Sequence, residues 1–379
     1  MAAQRVLHII SSTMRAGVAV MVMNLYRETD RGKLQFDFVA HELGSRDFDA
    51  EIASLGGRVF RVPFLSEAGI PGFVRLIREI IRNNGPYAAI HAHTDYQTGF
   101  CALAARQAGV PIRICHAHSD TRDIHSPVFM LKKQLGRMLI NRYATQRCAC
   151  SRNAGLSTFG RRAADSGKVA VIPNGIDLSG FADYPPQLKT DLRRDCQADG
   201  DTRIIGCVGR LSPEKNPSFV LDMAAQAKKA GLDFRFVFAG AGVMMDNLVS
   251  RRKQMDLEDT VFFLGVRDDI PHLMQCLDMV VVPSFSEGFS LSALEAQAAG
   301  TSVLVTPCVP DEADMGLGLF HPLPLDAGAA AWVERANDII GTDSHPDAAT
   351  RIERIQTRGY DAKRNARSLL RLYGIVQES

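Results

Sequence analysis

Arg210 and Lys215 stand five residues apart in VGRLSPEKNP (208–217), flanking a Ser-Pro turn that follows an apolar run. In an open α/β sheet such a turn lies at the carboxyl end of a strand, where ligands bind. A guanidinium fork beside an ammonium suits a diphosphate and stabilises negative charge as it develops on a leaving group. The loop lacks the GK[ST] of a Walker A motif. A second group lies in VVVPSFSEGFSLSALEAQAAG (280–300), with Glu287 in the turn after an apolar strand and Glu295 eight positions on, inside a helix. Part of this is ordinary punctuation. Ser290 and Ser292 are both N-cap candidates, Ser292 and Glu295 form a capping-box pattern, and Gly300 closes the helix. Capping accounts for neither Glu287 nor Gly288. The helix start at Gly288, Phe289 and Ser290 offers backbone N–H groups to a phosphate. FAGAG (238–242), with Gly240 in its turn, permits close backbone approach to a ligand.

The front half carries two pairs of histidines at the ends of apolar strands, His91 and His93 in IHAHTD, His116 and His118 in ICHAHSD. Strand alternation sends both members of a pair to one side. A lone histidine is usually structural; two pairs aimed at one crevice point to the site. DFD (47–49) and DGD (199–201) have the carboxylate spacing of a metal site, but they read as a helix cap and a turn. The eight cysteines are scattered, and Cys148 with Cys150 fits alternate strand positions, so reduced thiols in a cytoplasmic protein are expected.

These groups need a scaffold of parallel strands. Short β-branched runs alternate with helical patterns, first in VLHII (6–10), FDFVA (36–40), VFRV (59–62), AAIHAH (88–93), IRICHA (112–117), RCACS (147–151) and VAVIP (169–173). The rhythm restarts in RIIGCVG (203–209), FRFVFAG (234–240), VFFLG (261–265), MVVVPS (279–284) and TSVLVT (301–306). The turn-rich PNGIDLSGFADYPP (173–186) separates the two series. The expected fold is α/β, with two Rossmann-like doubly wound domains facing across a cleft, residues 1–175 and 176–359. The apolar residues of the last helix (360–379) are bunched, so it can dock on either domain, including back onto the first.

A length of 379 residues agrees with two cores. No apolar run is long enough to span a membrane, and the N-terminus reads as a first strand rather than a signal peptide. The net charge of +2 hides an asymmetry: residues 1–180 hold 23 Lys and Arg against 14 Asp and Glu, the remainder 21 against 28. A basic front half suits an anionic surface or acceptor. Residues 126–147 carry five cations (Lys132, Lys133, Arg137, Arg142, Arg147) and no acid, the pattern of a helix lying on an anionic membrane or near a lipid diphosphate. The helix at 72–84 is better explained as an amphipathic sheet cover with a solvated polar face.

Taken together, VGRLSPEKNP, FAGAG and PSFSEGFSLSALEAQAAG resemble the nucleotide-binding half of the retaining GT-B glycosyltransferases of family four. Glu287 and Glu295 have that family's Glu-x7-Glu spacing, and MNLYR (23–27), FDF (36–38) and PNGID (173–177) match in the front half. The likeness is greatest to the exopolysaccharide and capsule branch. It implies an N-terminal acceptor domain and a C-terminal nucleotide-sugar domain. Arg210 and Lys215 would hold the donor diphosphate, Glu287 the transferred sugar and Glu295 the ribose. Phe289 and Ser290 would cradle phosphate, Val266 and Arg267 border the base, and Gly209, Gly240, Gly288 and Leu291 complete the donor site. His118, with His93 next, would meet the donor sugar or reacting centre, and Asp120 is a weaker candidate. The resemblance further implies front-face attack by the acceptor hydroxyl, with neither metal nor cofactor beyond the nucleotide sugar, a UDP-sugar in expectation. The partners would be that sugar and a saccharide or lipid-linked acceptor, without nucleic acid, and the protein would be cytoplasmic and peripheral at the inner membrane face. One departure stands out. Where the family has Gly-Gly followed by Glu, this chain has Ala16, Gly17 and Ala19, which puts an acid-mediated acceptor contact in doubt. Two rivals remain: a nucleotide-sugar epimerase on the same scaffold, and a non-catalytic nucleotide-sugar-binding subunit.

Overall fold

A computed structural model describes residues 3–374 except 16, 42–43, 45, 120, 122–125, 174, 183–185 and 341–345. The chain divides into two compact units, Met1–Ile176 with Gly359–Ser379, and Asp177–Arg358.

The first unit is built on seven parallel strands, β1 (Gln4–Ile10), β2 (Leu34–Ala40), β3 (Val59–Arg61), β4 (Ala89–Ala92), β5 (Ile112–Ala117), β6 (Gln146–Ala149) and β7 (Ala170–Val171). Their order is β3-β2-β1-β4-β5-β6-β7, so the winding reverses between β1 and β4. Both faces of the sheet are covered, so the central strands β1, β2 and β4 are buried along most of their length on both sides. Val6 and Ile10 pack with Tyr26, Phe36 and Phe38 on one face, while Leu7 and Ile9 pack with Phe73, Ile77 and Phe100 on the other. The helix Ala362–Leu372 joins the first face through Leu369, Leu370 and Tyr373. Asn365 Nδ2 donates to Pro173 O at 2.9 Å and fastens its start.

The second unit has six parallel strands, β8 (Arg203–Val208), β9 (Phe234–Ala239), β10 (Val261–Gly265), β11 (Met279–Val282), β12 (Val303–Val305) and β13 (Phe320–Pro322). The order β10-β9-β8-β11-β12-β13 reverses between β8 and β11. The sequence patterns miss β13, a three-residue edge strand ending in proline, a position proline tolerates. The core gathers Ile205, Phe236, Phe238, Leu248 and Trp332, and the Trp332 indole N–H donates to Pro324 O at 3.0 Å.

Candidate functional site

In the second unit the candidate groups collect on the loops leaving β8 and β11, the two strands at the reversal. This is where an open α/β sheet leaves a crevice at its carboxyl edge. The loop backbones are packed tightly. Gly209 N donates to Ala239 O at 2.9 Å and Gly240 N to Gly265 O at 2.7 Å, carrying the strand pairing past the strand ends. A Cβ on Gly240, whose φ is 147°, would lie 1.9 Å from Gly209 O. Glycine is therefore obligatory there, and the turn stays thin.

Lys215 and Glu287 come from different loops and meet directly, Nζ to Oε1 at 2.6 Å. Glu287 is buried and Lys215 about one-third exposed. Ser284 Oγ donates to the same Oε1 at 2.9 Å. Phe285 N donates to Glu214 O at 2.8 Å, which ties the two loops together. The Arg210 side chain is exposed and takes no hydrogen bond among the described residues. The clamp thus has one ammonium already seated on a carboxylate and one guanidinium standing in solvent.

The capping expectation needs correction. Ser290 is the N-cap of helix Leu291–Ala299, its Oγ accepting from Ala293 N at 3.3 Å. Ser292 instead donates to Val208 O at 2.7 Å, stitching the helix to the end of β8. Glu295 is accordingly no capping-box partner; burial pushes its carboxyl up to about 7. Gly300 closes the helix at φ 84°. Phe289 and Ser290 are buried, while Gly288 and Leu291 are partly exposed. Beyond β10, Val266 is half exposed. Arg267 forks onto Asp269 at 2.8 and 2.5 Å, and the guanidinium holds that carboxyl below its usual range.

In the first unit all four predicted histidines lie on the face covered by helices Gly17–Arg27 and Ala362–Leu372. His93 Nδ1 meets His118 Nε2 at 2.9 Å, and His91 Nε2 meets His116 Nδ1 at 3.0 Å. A fifth ring, His8 of β1, meets His93 Nε2 through its Nδ1 at 3.1 Å, and Tyr373 reaches His91 at 2.8 Å. Burial holds His8 and His118 down to about 3. It keeps His91, His93 and His116 well below the usual imidazole range, with neighbouring rings adding to the effect. The rings are neutral at pH 7, and each N···N contact is bridged by a single proton. His118 Nδ1 is covered and has no partner among the described residues.

Gly17 opens helix Gly17–Arg27 with open space around it, since a Cβ would meet nothing within 4 Å. Ala16 and Asp120 lie outside the described residues. The DFD segment is not a side-chain cap. Asp49 accepts from Thr13 Oγ1 at 2.6 Å and pairs with Arg61, and Asp47 accepts from Arg15 N at 2.8 Å, so both acids hold the loop after β1.

Residues 15–179 match the family described as Glycosyltransferase Family 4, and residues 189–315 match Glycosyl transferases group 1. The putative glycosyltransferase EpsF of Bacillus subtilis is 39% identical over 380 residues, covering 99% of this chain and 97% of EpsF. The chain belongs to the GT-B glycosyltransferases of family four. A second relative is an Escherichia coli enzyme, UDP-Gal:alpha-D-GlcNAc-diphosphoundecaprenol alpha-1,3-galactosyltransferase, 32% identical over 58% of each chain. Among solved structures, Anabaena Alr3699/HepE in complex with UDP and glucose superposes with a TM-score of 0.77 at 21% identity, covering 98% of this chain and all of that one.

Three groups of this glycosyltransferase escaped the sequence patterns. His8 is a polar ring inside an apolar strand, a signal visible in VLHII. Asp95 accepts from the backbone N–H groups of His118 and Ser119 at 2.8 and 3.1 Å from an unusual φ of 49°. Ser284 bonds Glu287 from within the loop after β11. The sequence also offered no hint of two triads with metal-ligand chemistry, His8-His91-His93 and His93-His116-His118, whose ligand nitrogens lie within 4.8 Å of one another. Within them, the N–H···N contacts aim lone pairs head-on, whereas a metal held about 2.0–2.1 Å from each nitrogen needs them to converge. The arrangement as it stands is a hydrogen-bonded ladder.

Proposed function

We propose that this glycosyltransferase moves a hexosyl group, with retention, from a UDP-sugar to a saccharide acceptor carried on a lipid, in the assembly of an exopolysaccharide or capsule. The observation that carries the reading is the Lys215–Glu287 pair at the strand reversal, with exposed Arg210 on the same loop. Arg210 and Lys215 receive the diphosphate, and Glu287 accepts hydroxyls of the sugar. Glu295 takes the ribose, Phe289 and Ser290 the phosphate, and Val266 and Arg267 border the base. Gly209, Gly240, Gly288 and Leu291 shape the pocket. Gly17, His93 and His118 of the first unit serve the donor side, His118 as a neutral ring. The acceptor hydroxyl attacks the anomeric carbon on the face the phosphate leaves. The bond to the phosphate oxygen breaks, and that oxygen takes the acceptor's proton. The two cations offset the charge on the departing diphosphate, so neither a metal nor another cofactor is required. UDP is favoured because HepE holds UDP and the E. coli relative is named for UDP-Gal. The base is tested by thermal shift: UDP raises the melting temperature, by about 2.7 kcal/mol of stability at 100 times its Kd. An equal or larger shift with GDP or ADP overturns the choice of base.

The lipid carrier is supported by helix Pro127–Tyr143. Val128, Leu131, Leu135 and Met138 are exposed along one side at helical spacing, an apolar stripe turned outward. Two of the five cations turn inward: Lys133 donates to Thr121 and Ser157, and Arg137 to the carbonyls of Ser157 and Thr158. Arg147 lies beyond the helix, on β6, and reaches back to Asn141, so Lys132 and Arg142 remain on the helix to meet acidic headgroups, at about 1 kcal/mol each. No helix among the described residues is long and apolar enough to cross a membrane, so contact through this stripe would be peripheral. In co-sedimentation, the protein binds vesicles containing phosphatidylglycerol over neutral ones. Leu131→Glu abolishes that binding and leaves the UDP thermal shift intact; unchanged vesicle binding by the variant refutes the assignment.

A further inference from the structure

Ser284 is the residue between β11 and the Glu287 turn, almost fully buried, with its hydroxyl and carbonyl both committed. The carbonyl accepts from Thr306 Oγ1 at 2.8 Å and from Cys308 Sγ at 3.1 Å, which leaves its peptide plane no freedom to turn. The hydroxyl donates to Glu287 Oε1 at 2.9 Å, the same oxygen that Lys215 reaches at 2.6 Å. Both donors therefore fall on one oxygen, and Oε2 takes no hydrogen bond among the described residues. We infer that Ser284 is a positioning residue for Glu287, supported by Thr306 and Cys308 from the segment that follows β12, and that it fixes the carboxylate so that Oε2 faces a hydroxyl of the transferred sugar. The inference rests on Glu287 meeting that sugar.

Ser284 has a task that Lys215 cannot perform alone. Lys215 sits on a flexible stem and, in the proposed reaction, must share its charge with the arriving diphosphate. A carboxylate held only by that ammonium would shift whenever the ammonium turned to the phosphate. Ser284 is anchored through its carbonyl by Thr306 and Cys308 and makes no contact that the donor has to break. It keeps Glu287 in one orientation through the cycle, and small misplacements of such a group are costly to rate.

The test compares Ser284→Ala, Ser284→Thr and Glu287→Ala in the full chain, measuring kcat, donor KM and UDP affinity. Losing a hydrogen bond to a charged group predicts a kcat about 10- to 100-fold lower in Ser284→Ala. UDP affinity and donor KM should stay within about twofold, because the diphosphate clamp is untouched. Ser284→Thr keeps the hydroxyl and recovers most of the rate. Should the alanine variant not fold, Ser284→Cys, nearly the same size with only a weak donor, takes its place with the same expected loss. Normal kcat in the alanine or cysteine variant beside an inactive Glu287→Ala overturns the positioning role alone. An active Glu287→Ala overturns the reading of the site itself. Loss of UDP binding in Ser284→Ala assigns Ser284 to loop structure and also overturns the inference.

Discussion

Replacing either Lys215 or Glu287 by alanine is expected to reduce sugar transfer about a hundred- to a thousand-fold or more, while the two variants differ sharply in stability. The common loss follows from the roles proposed above for the two residues. Lys215→Ala removes a cation aimed at the charge that develops on the leaving diphosphate, the kind of preorganised contact whose loss costs about 10²–10³ in kcat. Glu287→Ala removes the acceptor for the sugar's hydroxyls and frees its orientation in the pocket. The stabilities part because burial is unequal: the Glu287 side chain is 4% exposed and that of Lys215 is 36%. Lys215→Ala strands a buried carboxylate with only the Ser284 hydroxyl, and breaking one side of a buried pair costs about 3–5 kcal/mol. In a unit of this size each kcal/mol lowers the melting temperature by about 2–4 °C. Glu287→Ala leaves an ammonium that turns into water, and its melting temperature stays near that of the parent. Transfer of radiolabelled sugar and scanning calorimetry read the two effects separately. Full transfer by both variants would place the donor site elsewhere; equal destabilisation would refute the asymmetric burial.

That pair also marks the limit of what local sequence patterns carry. The parallel α/β order was legible because a strand buried on both faces has no solvent side, so it can run apolar from end to end, as β11 does. Gly300 was legible because a left-handed helix end admits few other residues. Lys215 and Glu287 were each recognisable in their own turns, yet their contact spans 72 residues and depends on β8 lying beside β11. The choice between Ser290 and Ser292 as cap had the same origin. Ser292 is drawn away by Val208 O, a partner 84 residues distant that a local motif cannot register. Asp95 likewise works through backbone N–H groups of the next strand's loop. The helix Ala362–Leu372 has bunched apolar residues because Leu369 and Leu370 enter the core of Tyr26 and Phe36, and Tyr373 just beyond it reaches Phe36 and the histidine ladder. Its partner was not written in its own periodicity.

The histidine ladder makes the first unit sensitive to mild acid, and this is the largest stability effect expected of the chain. Six of its histidines, His8, His41, His91, His93, His116 and His118, are held below the usual imidazole range, in each case first by burial. In the unfolded chain these rings titrate near 6.5. Below that pH the unfolded state binds more protons than the folded one, so stability rises with pH across the window and falls as acid is added. The loss begins near pH 6.5 and continues toward the folded values, about 3 for His8 and His118 and about 4 for His41. One unit below 6.5, each ring has withdrawn about 1.4 kcal/mol. Six such withdrawals are comparable with the whole stability of an ordinary domain, about 5–15 kcal/mol. The second unit carries an opposing group. Burial raises Glu295 to about 7, so its contribution grows as pH falls from 7 toward the unfolded carboxyl value. Calorimetry at pH 7.5, 6.5 and 5.5 should therefore resolve two transitions, the first unit's falling steeply with acid while the second's holds. His41→Phe sharpens the test, because both His41 ring nitrogens lack partners among the described residues and the ring lies against Phe64 and Phe73. That variant should take up about one proton fewer on unfolding near pH 5.5 and melt higher there. A single transition unmoved between pH 7.5 and 5.5 would mean that the ladder is already protonated or solvated in the folded protein.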